Sequence, residues 1–174
     1  MALYEFEGRR PSVGKESYVS ETADVIGDVI IGNNCYIGPG ARIKGDYGSI
    51  RIGNESNVQE NCVIHARPGE QCIIGNGCSI GHGAVLHNCT IRDGAKVGMA
   101  GVVSDYAVVG EDSIIGEGCV VKQYQVILSQ SIAVGVPAKV IGIINAERIA
   151  ERDKYRYVYP DLAKRYLAGL KRVE

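Results

Sequence analysis

Aliphatic residues recurring at every sixth position predict a parallel β-helix for this chain, and three observations carry that reading. The first is the series itself. Val13, Val19, Val25, Ile31, Ile37 and Ile43 are followed, after three inserted residues, by Ile52, Val58 and Ile64. Four further inserted residues precede Ile74, Ile80 and Leu86; one residue is then dropped, and Ile91, Val97, Val103, Val109, Ile115 and Val121 complete the series. The second observation is that the residue two places earlier is usually small, as at Ala23, Cys35, Ala41, Ser56, Ala84, Ala95, Gly101, Ala107 and Ser113. The third is the turn chemistry between them, such as Gly27-Asp28, Gly32-Asn33-Asn34 and Gly75-Asn76-Gly77. A period of six is neither helical nor simply alternating. It describes short strands joined by turns, three to a coil, stacked as parallel strands about 4.8 Å apart. The eighteen positions amount to six coils. Handedness does not follow from the pattern.

The repeat fades after Val121, although Ile127 keeps its phase. This divides the chain into a β-helix over residues 1–134 and a tail over 135–174. Gly135-Val136-Pro137 reads as an exit loop, and Asn145 to Tyr157 and Pro160 to Lys171 have helical composition. Asn145 suits an N-cap and Pro160 a first helical position. Leu162, Tyr166 and Leu170 recur at helical spacing, so the tail is expected to fold back along the outside of the prism.

Composition narrows the function. At 174 residues the chain suits one domain. A net charge of −1 with mixed signs argues against a nucleic-acid partner. No apolar run is long enough to span a bilayer and Met1 to Arg10 lacks a signal core, so a cytoplasmic protein without membrane association is expected. The six cysteines (Cys35, Cys62, Cys72, Cys78, Cys89 and Cys119) all occupy the small inward position, and none forms a Cys-x-x-Cys pair. They read as buried hydrophobes rather than as disulfides or zinc ligands.

The three histidines carry the chemistry. His65 follows inward Ile64 and His87 follows inward Leu86, 22 residues apart, which is one coil of 18 plus the four-residue insertion. Their rings are expected to stack at one corner, with Lys44 in the same column a coil earlier. His82 precedes His87 by five residues and falls near another corner. Two copies of the chain would be needed to bring it to the other two, and a triangular prism repeating that contact closes as a homotrimer. Three imidazoles leaving a fourth position open are a common catalytic zinc arrangement, and the ion lowers the pKa of bound water to about 7. The alternative is that the histidines only hydrogen-bond across the contact.

Gly45-Asp46, Asn57-Val58-Gln59, Ile64-His65, Gly81-His82-Gly83 and Leu86-His87 together resemble the gamma-class carbonic anhydrase family. The resemblance extends to Val97-Gly98-Met99, Gly135-Val136-Pro137-Ala138 and the tail. It implies an all-β, parallel left-handed β-helix with a C-terminal helical segment. It also implies a homotrimer, with Zn2+ (or iron or cobalt) held by His65, His82 and His87, and reversible hydration of carbon dioxide to bicarbonate. Gln59 would hydrogen-bond the metal-bound water or bicarbonate, Asp46 and Lys44 would support the site, and Tyr159 would approach it from the tail. Three positions depart from the family pattern. Lys44 stands where arginine is usual and loses its planar fork. Glu60 replaces an aspartate that pairs with that arginine across the interface. The connection from His65 to Gly75 is short, with Glu70 as its one acidic residue, so the long acidic proton-shuttling loop is missing and slow hydration is expected.

The chain is also similar to hexapeptide proteins of the phenylacetate and carnitine pathways, through Glu16-Ser17-Tyr18-Val19, Ile26-Gly27-Asp28-Val29-Ile30, Lys44-Gly45-Asp46-Tyr47-Gly48 and Val97-Gly98-Met99. That group implies acyl-CoA metabolism, including thioester hydrolysis, which the same metal site could serve. A hexapeptide acyltransferase using a single histidine, and a trimeric scaffold with a structural metal, complete the alternatives.

Overall fold

The structure is a computed structural model that describes residues 2–145, 147 and 157–173. The hexapeptides wind into a parallel solenoid of about 7 turns. Every aliphatic position of the series is buried except Val13 in the first coil, which is partly buried against the core. Each buried side chain contributes about 1.5–3 kcal/mol relative to its exposed state, so the interior column is the main source of stability. The small residues two places earlier are buried as well. All six cysteines are free thiols packed in that inner column.

The wall has three faces and two sheets. An 8-stranded sheet forms one face, and a 12-stranded sheet covers the other two. It does so because Asp24–Ile31 and Arg42–Ile52 are continuous strands that run around a corner. Gly27-Asp28, expected as a turn, therefore lies inside a strand. The backbones at Gly27 and Gly45 pack too closely for a side chain: a Cβ on Gly27 would sit 2.4 Å from the Gly45 carbonyl oxygen.

A second corner is tied by side chains acting as backbone. Asn33, Asn54 and Asn76 each accept, through Oδ1, a hydrogen bond from a backbone N–H one coil earlier, at 2.7, 2.8 and 2.9 Å. Asp93 continues the ladder by accepting from the Asn76 N–H at 2.9 Å. These bonds satisfy turn amides that the parallel sheets leave unpaired.

The solenoid is one turn longer than the six coils expected from the repeat. Val126–Ile127 and Ser131–Val134 stack on the preceding coil, and Ala133 fills the inward slot where an aliphatic would have marked the repeat. The expected exit loop at Gly135-Val136-Pro137 is the connection of a hairpin, in which Lys139–Ile143 pairs antiparallel with Ser131–Val134. Helix α1 spans Val158–Gly169, so Pro160 sits inside its first turn rather than at its first position. It docks through Tyr159, Leu162, Ala163 and Tyr166 over Tyr18 and Tyr36 on the outer wall, as expected for the tail; Leu170 lies past its end and is exposed. The helix expected over Asn145 to Tyr157 lies largely outside the described residues. No helix among the described residues is long and apolar enough to cross a membrane.

Candidate functional site

The coil register sets the first group of side chains. Lys44 pairs with His65, and His65 with His87, in adjacent parallel strands. Ile43, Ile64 and Leu86 point inward and are fully buried, which turns the following residue outward at the corner. His65 Nδ1 and His87 Nε2 are 3.3 Å apart. The other nitrogen of each ring meets a carboxylate: His65 Nε2 lies 2.8 Å from Asp46 Oδ1, and His87 Nδ1 lies 2.6 Å from Asp105 Oδ1. Each carboxylate is itself bound by a cation. Lys44 Nζ sits 2.9 Å from Asp46 Oδ2, and an Arg67 guanidinium nitrogen donates to Asp105 Oδ2 at 2.8 Å. Burial pushes the Asp46 carboxyl up, but hydrogen bonds from Lys44 and His65 and their charges outweigh it and lower its pKa to about 2. The Arg67 hydrogen bond, seconded by His87, likewise holds Asp105 below the usual carboxylate range.

A second group occupies another corner. His82 Nδ1 lies 2.5 Å from Glu60 Oε2, and the Tyr36 hydroxyl donates to Glu60 Oε1 at 2.8 Å. Burial, followed by that bond to Glu60, pushes the Tyr36 phenol far up. Gln59 is buried rather than sitting on a solvated turn, and its Nε2 donates to Asn57 Oδ1 at 3.0 Å. Asn57 in turn donates to the Ser79 hydroxyl at 2.9 Å. Tyr159 packs tilted against Tyr36, with ring centroids 5.3 Å apart, so it both docks the helix and borders the Glu60 corner. Its phenol is raised by burial and by the Glu60 charge.

The sequence-derived site residues thus fall into two halves. Lys44, Asp46, His65 and His87 form one; Gln59, His82 and Tyr159 belong to the other. Among the described residues of one chain, no group of three or more His, Cys, Asp or Glu side chains is arranged to hold a metal ion. Lys44 pairs with Asp46 within the chain, and Glu60 pairs with His82. Glu70 lies on an exposed turn, where its N–H bonds the Arg67 carbonyl.

Two carboxylate roles and one guanidinium role were missed from the sequence. Asp105 anchors His87, Glu60 anchors His82, and Arg67 holds Asp105. The signal was available in the coil arithmetic: Asp105 follows His87 by 18 residues, and Glu60 precedes His82 by 22.

The donor set fits a metal in its chemistry. A carboxylate on one ring nitrogen places the proton there and leaves a lone pair on the other. The facing nitrogens of His65 and His87 lie 3.3 Å apart, within hydrogen-bond reach, and which of the two donates depends on the ring tautomers. Two nitrogens at zinc-ligand distance in a tetrahedral set stand roughly 3.3 Å apart. The pair therefore has the spacing of two ligands in a tetrahedral set, while His82, half-exposed, engages Glu60 through Nδ1 at another corner.

Known proteins show the same framework. The bacterial transferase hexapeptide profile (six repeats) matches residues 10–45, and that of the GMPPB C-terminal domain matches residues 46–144. The carnitine operon protein CaiE of Citrobacter koseri is 39% identical over 170 residues, covering 98% of this chain and 86% of its own. A structure of a putative acetyltransferase from Bacillus cereus superposes with a TM-score of 0.93 at 30% identity, covering 96% of this chain and 97% of that one. A hexapeptide transferase family protein from Anaplasma phagocytophilum gives 0.90 at 33% identity, covering 95% and 98%. The chain belongs to the hexapeptide-repeat family that includes the carnitine operon protein CaiE.

Proposed function

We propose that this protein hydrolyses acyl thioesters at a metal site shared between copies of the chain in a homotrimer. His65 and His87 of one subunit and His82 of its neighbour would hold the ion, zinc by preference. The observation that carries this reading is that a carboxylate engages one ring nitrogen of each histidine, while the two remaining nitrogens at one corner lie 3.3 Å apart. Bound zinc supplies Lewis acidity, polarising a carbonyl and generating a nucleophile from water near neutral pH. The chain's own groups do the rest. Asp46, Asp105 and Glu60 fix the ring tautomers and orientations. Lys44, held by Asp46, places positive charge where an oxyanion develops. Gln59, held by Asn57, offers an amide already positioned to orient the substrate.

The carnitine-operon relatives and the structure named as a putative acetyltransferase support acyl-group chemistry over carbon dioxide hydration. One observation favours a second reading, acyl transfer without metal: His82, backed by Glu60 at 2.5 Å, has the form of a general base and its orienting carboxylate.

The test compares chain loaded with zinc, cobalt or ferrous iron against chelated chain. Thiol release from short-chain acyl-CoA and hydration of carbon dioxide by stopped flow are both measured. Metal-dependent thioester hydrolysis, lost together with metal in His82→Ala, is expected. Full metal occupancy with hydration but no thioester hydrolysis moves the assignment to a carbonic anhydrase. Turnover that requires an acceptor amine or hydroxyl and survives chelation moves it to acyl transfer.

A further inference from the structure

The N-terminal arm reaches the histidine corner from the first coil. Residues Ala2–Tyr4 pair parallel with Asp24–Ile26, and Tyr4, Ile26, Lys44 and His65 follow one another in register along one column. The arm then folds into a tight turn. Phe6 and Arg9 exchange two backbone hydrogen bonds of 3.0 Å across Glu7 and Gly8, both of which have positive φ. The turn sets Arg9 over its own Phe6, with the guanidinium carbon 5.6 Å from the ring centroid, and Glu7 pairs with the same guanidinium at 3.4 Å. A long side chain held on two sides within its own turn has a fixed aim and loses little further freedom on meeting its target.

That target is the backbone carbonyl of Asp46, to which Arg9 Nη2 donates at 2.6 Å. The carbonyl belongs to the peptide unit joining Asp46 to Tyr47. The N–H at the other side of that unit donates to Asp46 Oδ1 at 3.0 Å. Oδ1 is the same oxygen that lies 2.8 Å from His65 Nε2. Because the unit is planar and rigid, turning its carbonyl away from Arg9 also turns its N–H away from Oδ1. Tyr47 hangs from the same unit and sets its ring edge-on to His65, with centroids 6.2 Å apart. The carboxylate and the aromatic ring beside His65 therefore both depend on a peptide that Arg9 holds. The next residue, Arg10, does not share this role: it is exposed and pairs with Glu5.

We infer that Arg9 is a positioning residue for the histidine site. By fixing the Asp46–Tyr47 peptide it keeps Asp46 Oδ1 on His65 Nε2, which holds the proton there and leaves His65 Nδ1 to the ion. The inference rests on the metal reading proposed above, while the lock on the ring operates with or without the ion.

Two measurements on the full chain test this lock: nitrogen-15 NMR of the histidine rings at pH 8 without metal, and zinc affinity by competition with a chromophoric chelator. In the native chain His65 should carry its proton on Nε2. Arg9→Leu keeps an apolar stem against Phe6 but removes the donor. It should shift His65 toward the Nδ1–H tautomer and weaken zinc about three- to tenfold, less than removing a carboxylate that touches a ligand directly. Arg9→Lys restores one donor and should recover most of both. Arg10→Leu removes the same charge from the adjacent position and should leave both at their native values. If the arm is merely structural, Arg9→Leu lowers the thermal midpoint while the tautomer and zinc affinity stay native; that result overturns the proposal. Equal weakening of zinc in Arg9→Leu and Arg10→Leu also overturns it, since overall charge would then be the cause. A tautomer shift in Arg9→Leu with no thioester hydrolysis by the native zinc-loaded chain would remove the proposed function and leave the role of Arg9 standing. Thioester hydrolysis by the native chain with an unmoved tautomer in Arg9→Leu would do the reverse.

Discussion

His65 Nδ1 and His87 Nε2 face each other at 3.3 Å, while Asp46 and Asp105 occupy the opposite nitrogens of the two rings. On the proposed metal reading, each carboxylate would hold the proton on its own ring nitrogen and leave the facing nitrogen to a shared cation. Asp105→Asn removes the charge behind His87 without touching a proposed ligand. Its zinc affinity, measured by competition with a chromophoric chelator, should fall about 10–100-fold. Unchanged affinity would remove Asp105 from the site and weaken the metal reading itself.

Asp46 supplies a stability signature with a definite sign. Its folded pKa of about 2 lies below the ordinary value of 3.8 because Lys44 and His65 outweigh the effect of burial. A depressed carboxylate pKa stabilises the fold fully above the unfolded value, and that contribution is lost as pH falls through the folded value. In metal-stripped protein, the thermal midpoint difference between the native chain and Asp46→Asn should be constant above pH 5. It should shrink below pH 4 and nearly vanish by pH 2. A difference that persists at pH 2 would mean that Asp46 acts through packing rather than charge.

The wall of the solenoid was legible because its period writes itself into the sequence. One aliphatic every six residues, with insertions that can be counted, places Lys44, His65 and His87 in register from the sequence alone. The last coil was hidden where Ala133 replaces the aliphatic marker, and the hairpin after it because antiparallel pairing leaves no period-six trace. Asp105 and Glu60 escaped for another reason. Their positions follow from the same coil arithmetic, but a carboxylate on an outer turn looks like any solvated residue until its partner is known. The grouping of Gln59 with His82, apart from His65, depends on which corner each turn reaches. That is a property of the wound chain rather than of local sequence.

The cysteine column gives a chemical test of the register. Burial pushes the Cys62 thiol to about 11 and the Cys78 thiol to about 12, so both are protonated at pH 8, and none of the six is open to solvent. Native protein should release almost no thionitrobenzoate from Ellman's reagent over minutes at pH 8, and six equivalents after guanidinium unfolding. Fast reaction of one or more thiols in the native state would place that coil out of the register described.

The corner bearing the asparagine ladder offers the sharpest separation of fold from function, because it carries neither half of the histidine site. Gly14, Gly32, Gly53 and Gly75 stack there in successive coils, and a Cβ on Gly53 would fall 2.5 Å from the Gly75 carbonyl carbon and 2.7 Å from the Asn76 nitrogen. Those atoms are backbone in a hydrogen-bonded coil and have little freedom to yield. Gly53→Ala should therefore cost about 1–3 kcal/mol through overpacking. Gly69 is the control: its φ is +75°, but nothing lies within 4 Å of an added Cβ, so Gly69→Ala should cost only backbone strain, about 1 kcal/mol. Urea denaturation measures both. Zinc affinity per folded molecule should be unchanged in Gly53→Ala, since the histidine corners lie elsewhere on the coil. A larger loss in Gly69→Ala than in Gly53→Ala would contradict the close stacking of the glycine column.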